Sequence, residues 1–72
     1  MSEDLEFQMF EFIKNRHEKG ETTASRHIHI RFDVEIDKIE EILRRLSHKR
    51  IISKSYDKEY QEDRFSPLPV KE

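Results

Sequence analysis

Leu5, Met9, Phe12 and Ile13 fall on one stripe when the chain is wound at about 100° per residue, which predicts a helix from Glu3 to His17 with that stripe in the core. Ser2, followed by Glu3, Asp4 and Glu6, reads as its N-cap, with the carboxylates against the positive end of the helix dipole. Lys14, Arg16, His17 and Lys19 suit the opposite end, and Gly20, the only glycine, supplies the left-handed stop. Phe7 and Phe10 carry the apolar arc round to roughly 200°, wider than a surface helix of a small domain needs. Either a neighbouring tail covers these two rings or they form an oligomer interface.

Ala24, Ile28 and Phe32 recur every four residues and predict a second helix from Thr23 to Arg31, capped by Thr22 or Thr23. The alternation Ile28-His29-Ile30-Arg31-Phe32 also fits a strand, but a third periodic segment begins directly afterwards and leaves no room for a hairpin. That segment, with Val34, Ile39, Ile42, Leu43 and Leu46 on one face, predicts a helix from Glu35 to His48 or Lys49, with Asp33 at the preceding turn. Its charges follow the dipole: Glu35, Asp37, Glu40 and Glu41 come first, Arg44, Arg45, His48 and Lys49 last. Glu40 with Arg44 and Glu41 with Arg45 are i,i+4 pairs in the favourable order. Arg50 to Tyr56 is β-branched and alternating, and Tyr60 to Phe65 follows across Asp57-Lys58-Glu59, so the two predict a hairpin with Tyr56 and Tyr60 as a cross-strand pair. Pro67 and Pro69 end the second strand and leave residues 66–72 as an extended tail. The order predicts a single α+β domain over residues 1–72.

Composition limits what such a domain can be. The chain has 72 residues and no cysteine, so no disulfide stabilises it, and a cytoplasmic setting is the natural expectation. Ile, Leu, Val and Phe number nineteen of the 72, above the ~20% level below which disorder is the better reading. No apolar run exceeds two residues, as in Ile51-Ile52, so neither a membrane span nor a signal peptide is expected.

The net charge of −2 conceals a segregated pattern. Up to Glu21 acids outnumber the bases Lys14, Arg16 and Lys19. From Thr22 to Phe32 there is no acid, only Arg26, His27, His29 and Arg31. From Leu43 to Tyr56 there is again none, and Arg44, Arg45, Lys49, Arg50 and Lys54 stand there with His48. If the two basic segments converge in space they make a patch for phosphate or for an acidic partner.

Catalytic constellations are absent from this pattern. His27 and His29 are two apart, which on a helix points them to different sides, so neither they nor His17 and His48 are read as metal ligands. Ser47 and His48 are neighbours on a helix and cannot make the hydrogen bond of a nucleophile and its base. One glycine cannot build a phosphate-cradling loop. No enzyme, metal or cofactor is expected.

Helix, helix, helix, hairpin in this length resembles the winged-helix domain, the winged form of helix-turn-helix. The likeness is carried by Ile28 to Ile52: buried Ile28 and Phe32, the turn Phe32-Asp33-Val34, then Ile39, Ile42, Leu43 and Leu46, closing with Lys49-Arg50-Ile51-Ile52. Members of the family typically have glycine at that turn and again before the two apolar residues that open the wing. Asp33 stands at the first position, where a left-handed conformation is tolerable for Asp. Arg50 stands at the second and predicts a different turn. The resemblance implies duplex DNA binding, with the third helix in the major groove and the wing on the neighbouring backbone. Carried onto this chain, the groove positions are Glu35, Ile36, Asp37, Lys38, Glu41 and Arg45, and the wing contacts Lys54, Tyr56, Lys58 and Arg64. Arg26, His27, His29, Arg31 and the basic cluster from Arg44 through Lys49 to Lys54 join them as phosphate-tracking residues. A transcriptional regulator acting as a homodimer through Phe7 and Phe10 is the expected function. The alternative is an interaction module whose acidic third helix docks on a basic protein surface without DNA.

Overall fold

The structure, a computed structural model, describes residues 4–68. Its elements are α1 (Leu5–Glu18), α2 (Ser25–Phe32), α3 (Ile36–His48), β1 (Ile52–Asp57) and β2 (Glu62–Pro67). Three helices precede one antiparallel hairpin, an α+β layout consistent with a winged helix. Nine buried side chains form the core: Met9 and Ile13 of α1, Ile28 of α2, Ile39, Ile42, Leu43 and Leu46 of α3, and Ile52 and Phe65 of the hairpin. The third helix supplies four of them and packs against α2 and β1, while α1 packs against β2. Among the described residues no helix is long and apolar enough to cross a membrane.

The helix ends correct the expected caps. Asp4 caps α1, its Oδ1 accepting from the Glu6 N–H at 3.1 Å, while Ser2 and Glu3 lie outside the described residues. Gly20 does take the left-handed conformation (φ 84°), and Gly20 and Glu21 donate back to the carbonyls of His17 and Arg16. This is the Schellman pattern. The end of α3 repeats it: Arg50 donates to Ser47, Ile51 donates to Leu46, and Arg50 sits at φ 62°. Arg50 therefore makes the left-handed turn that glycine would make, rather than a different one. Asp33 is left-handed too (φ 57°), as expected. It sharply separates α2 from α3, and its N–H closes α2 on the His29 carbonyl.

Neither Thr22 nor Thr23 caps α2. Thr23 is fully buried and extended, and it exchanges both backbone hydrogen bonds with Phe65, at 3.0 and 2.8 Å. β2 thus lies between β1 and this one-residue third rung, which anchors the hairpin to the loop before α2. The N-cap position falls to Ala24, which has no acceptor, and His27 reaches back so that its Nδ1 accepts the Ala24 N–H at 2.9 Å.

The hairpin register also shifts. β2 starts at Glu62 and runs through Pro67, pairing Ile52 with Pro67, Lys54 with Phe65 and Tyr56 with Asp63. Asp57 Oδ1 accepts from the N–H groups of Glu59 and Tyr60, and Gln61 turns left-handed at φ 54° to close the loop. Tyr60 is consequently in the loop, not opposite Tyr56, and the guanidinium groups of Arg26 and Arg64 lie 5.6 and 5.3 Å from the centre of its ring. Ser66 and Pro67, expected in the tail, belong to the strand, and Leu68 adds a hydrogen bond to the Ile51 carbonyl at 3.0 Å. Pro69 to Glu72 lie outside the described residues.

Candidate nucleic-acid interface

The inward face of α3 is fixed by Ile39, Ile42, Leu43 and Leu46. At 100° per residue the opposite face is then Asp37, Glu40, Glu41, Arg44 and His48, all exposed. Arg45, expected to face the groove, instead turns toward α1, where its guanidinium meets Glu6 at 3.0 Å and Glu41 at 3.4 Å. Lys49 converges on the same Glu6 carboxylate at 3.0 Å. Lys38 is held at 4.0 Å from Glu41. The expected Glu41 to Arg45 pair forms, whereas Arg44 makes no ion pair with Glu40 or with any other described residue.

Arg44 opens onto a cleft of about 460 Å³ between α3 and the hairpin. Glu40, Leu43, Arg44 and Ser47 line it from α3, Lys54, Tyr56, Gln61, Glu62, Asp63 and Phe65 from the hairpin and its loop, and Ser25, the first residue of α2, from its end. The hairpin's alternation explains this wall. Residues two apart share a face, so the face that buries Ile52 and Phe65 at the base continues outward as Lys54 and then Tyr56. Lys54 forms no ion pair among the described residues, and Tyr56 is 61% exposed. The Ser47 hydroxyl on the same wall is buried and has no hydrogen-bond partner among the described residues. Two cations and a phenol ring therefore face one opening, with the buried Ser47 hydroxyl in its wall and Glu40, Glu62 and Asp63 as the acids beside them.

The remaining basic residues are elsewhere, so the two acid-free segments do not form one patch. Arg26 holds Glu62 in a two-pronged pair at 2.8 and 3.1 Å, and this hydrogen bonding first of all sets its own pKa above, and that of Glu62 below, the ordinary values. Arg64 donates to Glu62 and Thr22 and approaches Asp57 at 3.6 Å. It fastens the loop rather than reaching out as a wing contact. Arg31 lies over the ring of Phe32, 5.0 Å from its centroid, and lines a separate groove beside α1. Lys58 is exposed in the hairpin loop. Phe10 is partly buried and packs against the core, while Phe7 is 54% exposed.

His27 and His29 serve the backbone. His27 Nδ1 accepts at the start of α2, and burial, with Arg16, Arg26 and Arg64 nearby, lowers its pKa. His29 Nδ1 sits 2.6 Å from the Val34 carbonyl across the α2–α3 turn. Among the described residues no group of three His, Asp or Glu is placed to hold a metal ion.

Arg44, Lys54 and Tyr56, expected from the sequence as contacts, line one cleft, whereas the acids that sort the other cations carry no local signal. Glu6 lies 39 and 43 positions from Arg45 and Lys49, and Glu62 lies 36 from Arg26, so no local pattern announces them. Comparison with protein-family models, with curated proteins and with solved structures finds no match to this chain.

Proposed function

We propose that this chain is a winged-helix domain that binds duplex DNA as a transcriptional regulator, seating the phosphate backbone in the cleft between α3 and the hairpin. The observation that carries this reading is that Arg44 and Lys54, left out of the ion pairs that occupy Arg26, Arg45 and Lys49, face the same opening. Two cations on facing walls neutralise adjacent phosphates and release their counterions. Tyr56 supplies a flat ring and a hydroxyl for the sugar-phosphate edge. α3 then presents Asp37, Glu40 and Glu41 outward, where a carboxylate can accept from the amino group of cytosine and repels phosphate.

Fluorescence anisotropy with a random duplex, titrated across salt, tests the reading. Affinity should fall steeply with salt, and Arg44→Ala with Lys54→Ala should flatten the logarithmic slope by about 2, close to one unit per lost phosphate contact. Absence of binding at about 50 mM salt, where phosphate contacts are strong, overturns it.

One observation favours a second reading. Because Glu6 draws Arg45 and Lys49 to the α1 side, the outward face of α3 keeps three acids against Arg44 and His48. Such a face complements a basic protein surface. A chain that ignores DNA but binds a basic partner, and loses it on Asp37→Lys with Glu41→Lys, establishes that alternative.

A further inference from the structure

Arg31 and Glu11 stand at the two sides of a second groove, about 330 Å³, between α1 and the end of α2. The floor is aromatic: Phe12 and Phe32 meet edge to face at 5.7 Å and 83°. Phe7 also lines it and is 54% exposed. Neither Glu11 nor Arg31 makes an ion pair among the described residues.

We infer that this groove is the seat of a second copy of the chain. A two-fold arrangement makes the surface its own complement: Phe7 of each copy enters the partner's groove against Phe12 and Phe32, and Arg31 of each faces the partner's Glu11. The charge pattern argues for a copy over an unrelated partner. One unpaired acid and one unpaired base on either side of an apolar groove meet their opposites under a two-fold axis, so both charges are satisfied at once. A uniformly acidic or uniformly basic partner leaves one of them facing its like. Phe10, on the flank of α1 that carries Glu6 one turn earlier, takes no part because it packs against the core. The inference is independent of what the cleft beside α3 binds. It does bear on it, since a dimer doubles the phosphate-facing cations and sets two α3 helices on one duplex.

The contact is small, so a weak dimer with a Kd of tens to hundreds of micromolar is expected, in keeping with interfaces below about 1,200 Å². Sedimentation equilibrium from about 10 μM to 1 mM spans that range. Phe7→Ser should raise Kd about tenfold or more, as truncation of a central aromatic does. Glu11→Arg and Arg31→Glu should each weaken association about threefold to tenfold, and the double exchange should restore it to within about threefold. Unchanged far-ultraviolet circular dichroism in each variant ties any loss to the interface. A wild type that stays monomeric throughout overturns the inference. So does a dimer that ignores Phe7→Ser, or single charge reversals that the double exchange does not rescue. Arg44→Ala with Lys54→Ala should leave Kd for self-association unchanged while weakening DNA binding, which separates failure of this inference from failure of the DNA reading.

Discussion

Lys49 of α3 donates to one oxygen of Glu6 on α1 across 3.0 Å, and Arg45, one turn earlier on α3, donates to the other oxygen at the same distance. The Lys49 hydrogen bond, first among these contacts, holds the Glu6 carboxyl below the usual carboxylate range against the opposing effect of its partial burial. A single acid thus ties the first helix to the third and takes two cations of the basic stretch away from solvent ligands. The consequence for function is a divided helix: its α1 flank is neutralised and its hairpin flank keeps Arg44.

Glu6→Gln should uncouple these roles. The variant loses two half-exposed ion pairs, about 1 kcal/mol in all after solvent screening, or roughly 4–8 °C in Tm for a chain of this size. Arg45 and Lys49 are then released to phosphate, so duplex affinity at low salt should rise and the salt slope steepen by about 1 to 2. A lower Tm with unchanged DNA affinity would place Arg45 and Lys49 out of reach of the duplex.

The two Schellman ends predict opposite responses to substitution. Gly20 is at φ 84° with open space where a Cβ would lie, so Gly20→Ala meets no clash and costs the left-handed penalty, about 1–2 kcal/mol, less the ~0.5–1 kcal/mol gained by restricting the unfolded chain. Arg50 already carries that penalty at φ 62°. Arg50→Gly should relieve it, less the ~0.5–1 kcal/mol of added unfolded-state entropy, for a net gain of up to about 1 kcal/mol. Urea midpoints should shift down for the first and up for the second, with the slope m unchanged.

The elements that announced themselves in the sequence are those whose stabilising contacts lie within a few residues. The i,i+3/i+4 stripes of α1 and α3 needed no knowledge of a partner, and Asp33 and Gly20 mark turns by their own backbone preference. Thr23 shows where this stops. Read locally it is a helix cap, but pairing with Phe65, 42 residues on, makes it a strand rung. The same holds for Tyr60, which is placed by Arg26 rather than by the strand alternation that put it opposite Tyr56. At the candidate site the residue types were visible and their availability was not. Whether a cation is free depends on acids that fold against it from elsewhere in the chain.

Arg26 tests that distinction directly. Sequence alone makes it a phosphate contact, whereas its two-pronged pair with Glu62 and its stacking on Tyr60 make it a brace between α2 and the hairpin loop. Arg26→Ala should leave the salt slope of DNA binding unchanged. It should instead speed backbone amide exchange in the loop around Tyr60 and Gln61, because Glu62 is left with Arg64 alone. A slope reduced by about 1 would return Arg26 to the phosphate-contacting set.

His27 sets the acid limit of the fold. Its Nδ1 accepts the Ala24 N–H, which only the unprotonated nitrogen can do, and the charged form would sit at the positive end of α2 with Arg16 on α1, Arg26 on its own helix and Arg64 on β2 around it, against the one acid, Glu62. Burial, and then these guanidinium groups, depress its pKa in the folded state. The unfolded chain therefore binds a proton first as pH falls, so this contribution is complete above the unfolded value of about 6.5 and is lost progressively from there down through the lower folded value. The carboxyls of Glu6 and Glu62, also depressed, act in the same direction at more acidic pH, from their unfolded value of about 4.3 downward. Thermal melts should show Tm falling as pH drops below about 6.5, in the His27 window. His27→Gln, whose amide oxygen can accept from Ala24 but does not titrate, should flatten that first fall and leave the carboxylate one in place. An equally steep first fall in the variant would assign the acid sensitivity to another group.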